Sequence, residues 1–100
     1  FIINKIKKTH SLEKLTVGIL GMSFKANVDD IRDSLSFKLK KLLEFRNCNV
    51  LCSDYLVKDK NYLSEKVLIK KSSVVILAVP HDRYKKIKIP KNKLFINLWY

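Results

Sequence analysis

Glycine is scarce in this sequence, and its scarcity excludes the common nucleotide-binding loops. The chain has two glycines, Gly18 and Gly21. Gly21 follows an apolar run at 15–20, as the first glycine of a dinucleotide fingerprint would. That fingerprint needs small residues where Ser23 and Lys25 stand, so that the backbone can approach a pyrophosphate closely. No Walker-type loop is present either, and this chain is therefore not predicted to be a main dinucleotide-binding module.

Cysteine is equally scarce, which bears on metal binding and redox chemistry. The two cysteines, Cys48 and Cys52, lack the two-residue gap of a redox motif. No His or Cys pair elsewhere completes a zinc site. We therefore predict no metal site and interpret both side chains as buried, reduced thiols of a cytosolic protein, with a structural disulfide as the alternative.

Long apolar runs are also missing. The longest, at 74–80, is far shorter than a membrane-spanning helix. Residues 1–10 are apolar and basic, but they lack the continuous core and the cleavage site of a signal peptide. We expect a cytoplasmic protein with no membrane partner. The length of 100 residues fits a single domain, and a start at Phe1 rather than Met suggests a part of a longer protein.

Acidic residues are few, so the chain is strongly basic. Nine Asp and Glu residues stand against 21 Lys and Arg residues, for a net charge of +12. Such a charge suits a surface that binds nucleic acid or another polyanion. The basic residues are scattered, however, and mostly Lys, without the Arg and Asn pattern or the exposed aromatics of base recognition. We favour a solvated lysine-rich surface and no nucleic-acid partner, and a basic non-catalytic binding module remains the alternative function.

Apolar periodicity predicts an alternation of strands and helices. The predicted strands are 15–20, 49–53, 74–79 and 94–98, the predicted helices are 35–46 and 62–71, and a short helical stretch is predicted at 83–86. In the first helix, the leucines at 35, 39, 42 and 43 are expected to line one face, and Asn47 to adopt a left-handed cap conformation. The alternation predicts a Rossmann-like, three-layer α/β domain. Its mostly parallel sheet of about four strands would have the order 2-1-3-4 and helices on both faces.

The polar loop 21–34 is the predicted ligand site. The order 2-1-3-4 places a switch point between the first and third strands, whose carboxyl ends carry residues 21–25 and 80–81. A lysine there can bind a carboxylate, hydroxyl or phosphate, which makes Lys25 a candidate. Arg32 lies among three aspartates, so it either forms structural ion pairs or offers its guanidinium to a phosphate.

Two more residues, one at the end of this loop and one after the third strand, have predicted roles in structure. Ser34 is the expected N-cap of the first helix. His81 follows the third strand, and a lone histidine there is more often a packing or capping group than a catalyst. We predict no catalytic residue in this chain.

Two segments resemble a known family. They are VGILGMSFK at 17–25 and DDIRDS at 29–34. Strand, Gly, Phe-Lys and then Asp-Asp-x-Arg-x-Ser is the pattern of the C-terminal, UDP-binding domain of the UDP-glucose/GDP-mannose dehydrogenase family. The strand that ends in Asp54-Tyr55 and the apolar strand before His81 extend the resemblance over residues 12–98.

The resemblance implies a function and a set of contacts. These enzymes oxidise the C6 alcohol of a nucleotide sugar to a carboxylate with NAD. By resemblance, Phe24 and Lys25 contact a UDP-sugar of the UDP-glucose or UDP-N-acetylhexosamine type, and Arg32 reaches NAD bound mainly by another domain. Residues 1–11 would end an interdomain linker helix, and 12–100 would form the substrate-binding domain. The implied partners are the N-terminal and central domains and further subunits of a homo-oligomer, in polysaccharide biosynthesis.

The sequence departs from the family pattern at two places. The family's catalytic cysteine lies in a Gly-Gly-x-Cys-Phe segment of the central domain, which neither cysteine here matches, so we expect this fragment to be inactive alone. Many members end the last strand in Asp-Gly-Arg, whose arginine binds substrate from a neighbouring subunit. Asn97-Leu98-Trp99 stands there in this chain. The resemblance therefore does not identify the sugar.

Overall fold

The computed structural model describes residues 15–22, 35–54, 56–57, 59–79 and 81–98. The strands are β1 Thr16–Leu20, β2 Asn49–Ser53, β3 Val74–Leu77 and β4 Leu94–Asn97, and the helices are α1 Leu35–Phe45, α2 Glu65–Lys71 and the 3₁₀ helix Asp82–Lys86. The strands form one sheet in the order β2-β1-β3-β4, and each pairing is parallel. The predicted fold class and strand order are confirmed.

The sheet has a separate apolar core on each face. Successive residues of a strand point to opposite sides. Val17 and Ile19 of β1 therefore pack in the core that also contains Leu39 and Leu43 of α1. Leu20 faces the other core, which contains side chains from α2 and from the 3₁₀ helix. One helix on each side of the sheet gives the three-layer arrangement that the sequence predicts.

The buried face of α1 is narrower than predicted. Leu39 and Leu43 are buried together with Ser36. These positions are three and four residues apart and so share one side of a helix. Leu35 and Leu42 are 59% and 45% exposed, so their expected burial is wrong. They lie seven residues apart, at the border of the buried side of the helix that packs against the sheet.

Asn47 ends α1 in the predicted left-handed conformation, with a φ of 65°. Its backbone N–H donates to the Glu44 carbonyl at 3.0 Å, and the N–H of Cys48 donates to the Leu43 carbonyl at 3.1 Å. These bonds satisfy carbonyls that the last helical turn leaves without partners. The chain then turns directly into β2.

Helix α2 begins at Glu65, later than the predicted position 62, because Ser64 is its N-cap. The Ser64 hydroxyl accepts a hydrogen bond from the Val67 N–H at 3.3 Å. The helix lies very close to β1 at Gly18, where an added Cβ would stand 2.5 Å from Ser72 Oγ. In the part of the chain that the structure describes, no helix has the length and apolar character needed to cross a membrane.

Candidate functional site

The ends of β1, β2 and β3 meet at one edge of the sheet. The Gly21 N–H donates to the Ser53 carbonyl at 2.8 Å, and the Ala78 N–H donates to the Leu20 carbonyl at 2.9 Å. These bonds continue the ladders one residue past the strands. Between β1 and β3 the direction of the crossover connections reverses, and open α/β sheets bind ligands at such a place. We call this edge the switch-point crevice.

Asp54 links the three strand ends at the base of the crevice. Its Oδ2 accepts from the Met22 backbone N–H at 2.6 Å, and its Oδ1 accepts from the N–H groups of Leu56 and Val57 at 2.7 and 2.9 Å. His81 Nε2 lies 3.1 Å from both carboxylate oxygens. Among the described residues, four groups thus hydrogen-bond to the Asp54 carboxylate, so its oxygens are engaged with the protein itself.

The environment of Asp54 keeps it ionised. Burial raises the pKa of its carboxyl, but the N–H groups of Val57, Met22 and Leu56 and the His81 ring outweigh burial and hold the pKa below its usual value. A carboxylate that already accepts these bonds is a poor general base and a poor metal ligand. We therefore assign Asp54 a structural role.

His81 is a structural partner of Asp54. The side chains of His81 and Asp54 are 1% and 0% exposed. Because an ionised carboxylate only accepts hydrogen bonds, the Nε2 atom of His81 carries the proton in this pair. The ring also packs at a tilt of 56° on Tyr84, with centroids 5.4 Å apart. These contacts agree with the prediction that His81 is a packing group.

The peptide unit between Gly21 and Met22 is held from both sides. Its N–H donates to Asp54, as above, and its carbonyl accepts a hydrogen bond from Ser36 Oγ at 2.6 Å. Ser36 is 1% exposed and lies in the first turn of α1. Gly21 has a φ of +95°, a conformation that favours glycine. The chain therefore leaves β1 in a defined direction.

Comparison with known proteins identifies the family of this fold and crevice. The UDP binding domain of the UDP-glucose/GDP-mannose dehydrogenase family matches residues 18–98. The chain belongs to this family.

Relatives of this UDP-binding domain are considerably longer proteins. A UDP-N-acetyl-D-mannosamine dehydrogenase of Methanocaldococcus jannaschii is 33% identical over 89 residues, which cover 85% of this chain and 20% of the relative. The solved UDP-glucose dehydrogenase of Pyrobaculum islandicum superposes with a TM-score of 0.88 at 24% identity, over 99% of this chain and 25% of that one. A UDP-D-ManNAc dehydrogenase of Pyrococcus horikoshii gives 0.79 at 15% identity, over 97% and 28%. The chain thus spans between 20% and 28% of these relatives' lengths.

The predicted ligand contacts of the UDP-binding domain lie outside the described residues. Phe24, Lys25 and Arg32 all fall in the segment 23–34, as does the predicted N-cap Ser34. The described residues on either side of this segment are Met22 and Leu35, at the carboxyl end of β1 and the start of α1. The roles of these four residues remain predictions.

Sequence reasoning missed two of the residues that build the crevice. Asp54 carries a usable signal, because it directly follows a strand at the edge where ligands bind. Ser36 carries none, because the neighbouring Ser34 is the better cap by position and the partner of Ser36 lies 15 positions away. Its role becomes visible only when α1 packs against the end of β1.

The described residues offer no metal-binding cluster and no activated nucleophile. Among them, no three His, Cys, Asp or Glu side chains come together in a way that could hold an ion. Cys48 and Cys52 are buried thiols outside any disulfide, and burial raises the pKa of both. Burial and the nearby Cys52, Asp59 and Asp54 raise the pKa of Tyr62 to about 12, so its phenol stays protonated at neutral pH.

Proposed function

We propose that this chain is the C-terminal, substrate-nucleotide-binding domain of an NAD-dependent nucleotide-sugar 6-dehydrogenase. The observation that carries the proposal is the switch-point crevice. There Asp54 and Ser36 hold the Gly21–Met22 peptide by hydrogen bonds. The segment with the family's Phe-Lys and Arg-x-Ser residues follows this peptide in the sequence. Residues 12–100 would form the domain and 1–11 the end of a linker helix. The parent enzyme would act on UDP-glucose or a UDP-N-acetylhexosamine, as a homo-oligomer in the cytoplasm, in polysaccharide biosynthesis.

The proposal gives Phe24 and Lys25 the contact with the UDP-sugar. They stand two and three positions after Met22, and Met22 lies at the edge of the sheet where ligands of open α/β folds bind. The ammonium group of Lys25 would pair with phosphate or sugar oxygens by charge-assisted hydrogen bonds. The ring of Phe24 would supply an apolar contact surface beside it.

NAD would be held mainly by another domain of the parent protein. When bound, it would supply the hydride acceptor for oxidation at C6 of the sugar. In this chain, the N–H and carbonyl of the Gly21–Met22 peptide are bonded to Asp54 and Ser36, so this N–H is already used within the protein and is not offered to a pyrophosphate. This arrangement is consistent with the sequence, which lacks the glycine pattern of a dinucleotide-binding loop. The proposal therefore limits this chain's contribution toward the cofactor to Arg32.

A binding experiment separates the proposed function from the polyanion-binding alternative. The full 100-residue chain is titrated with UDP, UDP-glucose and UDP-N-acetylmannosamine, and separately with a single-stranded oligonucleotide, at several salt concentrations. We expect UDP to raise the melting temperature, because a ligand of the folded state stabilises it. Stabilisation by the oligonucleotide alone, with a steep loss of affinity as salt rises, would contradict the proposal and support the alternative.

A pair of lysine variants tests the assignment of Lys25. Lys91 is exposed in the turn before β4, at the opposite edge of a parallel sheet, and provides a control for the loss of one charge. We expect Lys25→Ala to weaken UDP affinity about tenfold, the effect of one charge-assisted hydrogen bond. We expect Lys91→Ala to leave the affinity unchanged. Equal losses in the two variants would indicate a diffuse effect of net charge and would remove Lys25 from the site.

A further inference from the structure

Ser36, Asp54 and His81 form a buried polar group at the base of the segment 23–34. We propose that these three residues, here called the base clamp, position that segment for UDP binding. The inference rests on the proposed function, because it assumes that the segment carries the ligand contacts. It adds three positioning residues that do not themselves touch the ligand.

The base clamp acts on a single peptide unit. Ser36 Oγ donates to the Gly21 carbonyl and Asp54 Oδ2 accepts from the Met22 N–H, each at 2.6 Å. Two short hydrogen bonds, one to the carbonyl and one from the N–H of the same peptide group, point in opposite directions and fix the rotation of that group about the chain axis. The direction in which the chain enters residue 23 is therefore set by side chains from α1 and from the end of β2.

The same clamp also joins the two ends of the segment. Ser36 and Gly21 lie 15 positions apart along the chain, and their hydrogen bond brings the start of α1 against the end of β1. A loop whose ends are held together samples fewer conformations than an open one. When a ligand binds such a segment, the segment then loses less conformational entropy, and the affinity for the ligand is higher.

His81 completes the clamp by holding the Asp54 carboxylate. It comes from the chain after β3, 27 positions from Asp54, and both side chains are almost completely buried. A buried carboxylate is costly unless its bonds are satisfied, and an apolar pair would often give equal or greater stability. The polar pair therefore gives the fold something that an apolar pair would lack, an oriented acceptor for the Met22 N–H.

A matched pair of serine variants tests the clamp. Ser72 is also 1% exposed, and its hydroxyl also donates to a backbone carbonyl, that of Leu68, at 2.7 Å. It lies at the end of α2, away from the base of the loop. Ser36→Ala and Ser72→Ala thus remove the same group from equally buried sites and should destabilise the chain to a similar extent.

The two variants should differ in ligand binding. We expect Ser36→Ala to weaken UDP affinity between about three- and tenfold and Ser72→Ala less than about twofold, since one net hydrogen bond corresponds to that range. In amide NMR spectra, Ser36→Ala should move the Met22 signal and the signals of 23–34, whereas Ser72→Ala should not. Equal UDP affinities and unchanged Met22 signals in the two variants would contradict the proposal that the base clamp positions the segment 23–34.

Variants of His81 give a second, independent measurement. Gln carries a terminal N–H donor on a side chain of similar reach, whereas Leu carries none. We expect His81→Leu to weaken UDP binding and to shift the Met22 amide, and His81→Gln to restore both in large part. Equal effects of Leu and Gln would contradict positioning through Asp54.

The design keeps two failures apart. If the unsubstituted chain does not bind UDP, the proposed function is contradicted. The Met22 amide signals of the Ser36 and Ser72 variants, which need no ligand, then decide whether the clamp holds the segment.

Discussion

Gly21 lies directly against Val79, where β1 and β3 end side by side. An ideal Cβ on Gly21 would stand 2.5 Å from the Cβ of Val79 and 2.8 Å from its backbone nitrogen. Gly21 also has a φ of +95°, which L-residues with side chains rarely adopt. The position therefore requires glycine for two independent reasons, its conformation and the close approach of the neighbouring backbone.

Gly21→Ala should destabilise the fold more than Gly18→Ala. At Gly18 the added methyl group would meet the Leu68 and Ser72 side chains, which can shift, and the backbone φ is ordinary. At Gly21 it would meet backbone and impose strain, for which we expect a loss of at least about 2 kcal/mol in the free energy of unfolding. Urea denaturation measures both losses. A smaller loss of unfolding free energy in Gly21→Ala than in Gly18→Ala would contradict the requirement for glycine at position 21.

Asp54→Asn should remove a pH-dependent part of the stability. The pKa of Asp54 is lowered in the folded state, so its ionised form stabilises the fold at pH values above the ordinary carboxyl pKa. That contribution is lost as pH falls through the lowered pKa. We expect the variant to be about 2 to 4 kcal/mol less stable at pH 7, because a buried hydrogen-bonded carboxylate is lost.

The same comparison at lower pH checks the sign of this effect. The difference between Asp54→Asn and the unsubstituted chain should be constant above about pH 5 and should narrow below about pH 4. Urea denaturation across this range provides the measurement. Asp59→Asn is the control, because Asp59 is exposed and its replacement should change stability within about 0.5 kcal/mol. A stability difference that widens as pH falls would contradict a lowered pKa of Asp54 in the folded state.

The topology of this domain follows from the sequence because its strands carry a strong signal. Val74–Leu77 is continuously apolar, as a strand buried on both faces must be, and helical patterns separate it from its neighbours. Right-handed crossovers then leave few possible strand orders. The start of α2 was missed because the cap at Ser64 outweighs apolar positions upstream of it.

The crevice is harder to predict, because its bonds join residues that are distant in the chain. The Asp54 carboxylate bonds to Met22 and His81, which are 32 and 27 positions away. No local pattern encodes such pairs, and they form only after β1, β2 and β3 align. Lys25 and Arg32 are candidates because of their charge and their place after β1, whereas the contacts of Phe24, Lys25 and Arg32 with particular ligands come from the family motif, and all of these remain predictions.

Asn47→Ala should destabilise the end of α1, whereas Asn47→Gly should not. At a φ of 65°, an alanine side chain is strained by about 1 kcal/mol, whereas glycine is not. Thermal or urea unfolding of the two variants gives the comparison. Asn61, exposed in a turn, supplies a control position for Asn→Ala. A loss at Asn61 as large as that at Asn47 would show that the conformation of Asn47 is not the cause.

Both cysteines should resist alkylation in the folded chain. Cys48 and Cys52 are 7% and 6% exposed, and burial raises the pKa of both thiols, so the reactive thiolate is rare and poorly accessible at neutral pH. We expect iodoacetamide at pH 7.5 to label them at least about 100-fold more slowly than in urea, because labelling requires an opening of the structure. Cys48, in the turn that precedes β2, should react before Cys52, which lies within the strand. Mass spectrometry of timed samples measures both rates, and rapid labelling of Cys52 under native conditions would show that the core around β2 is open.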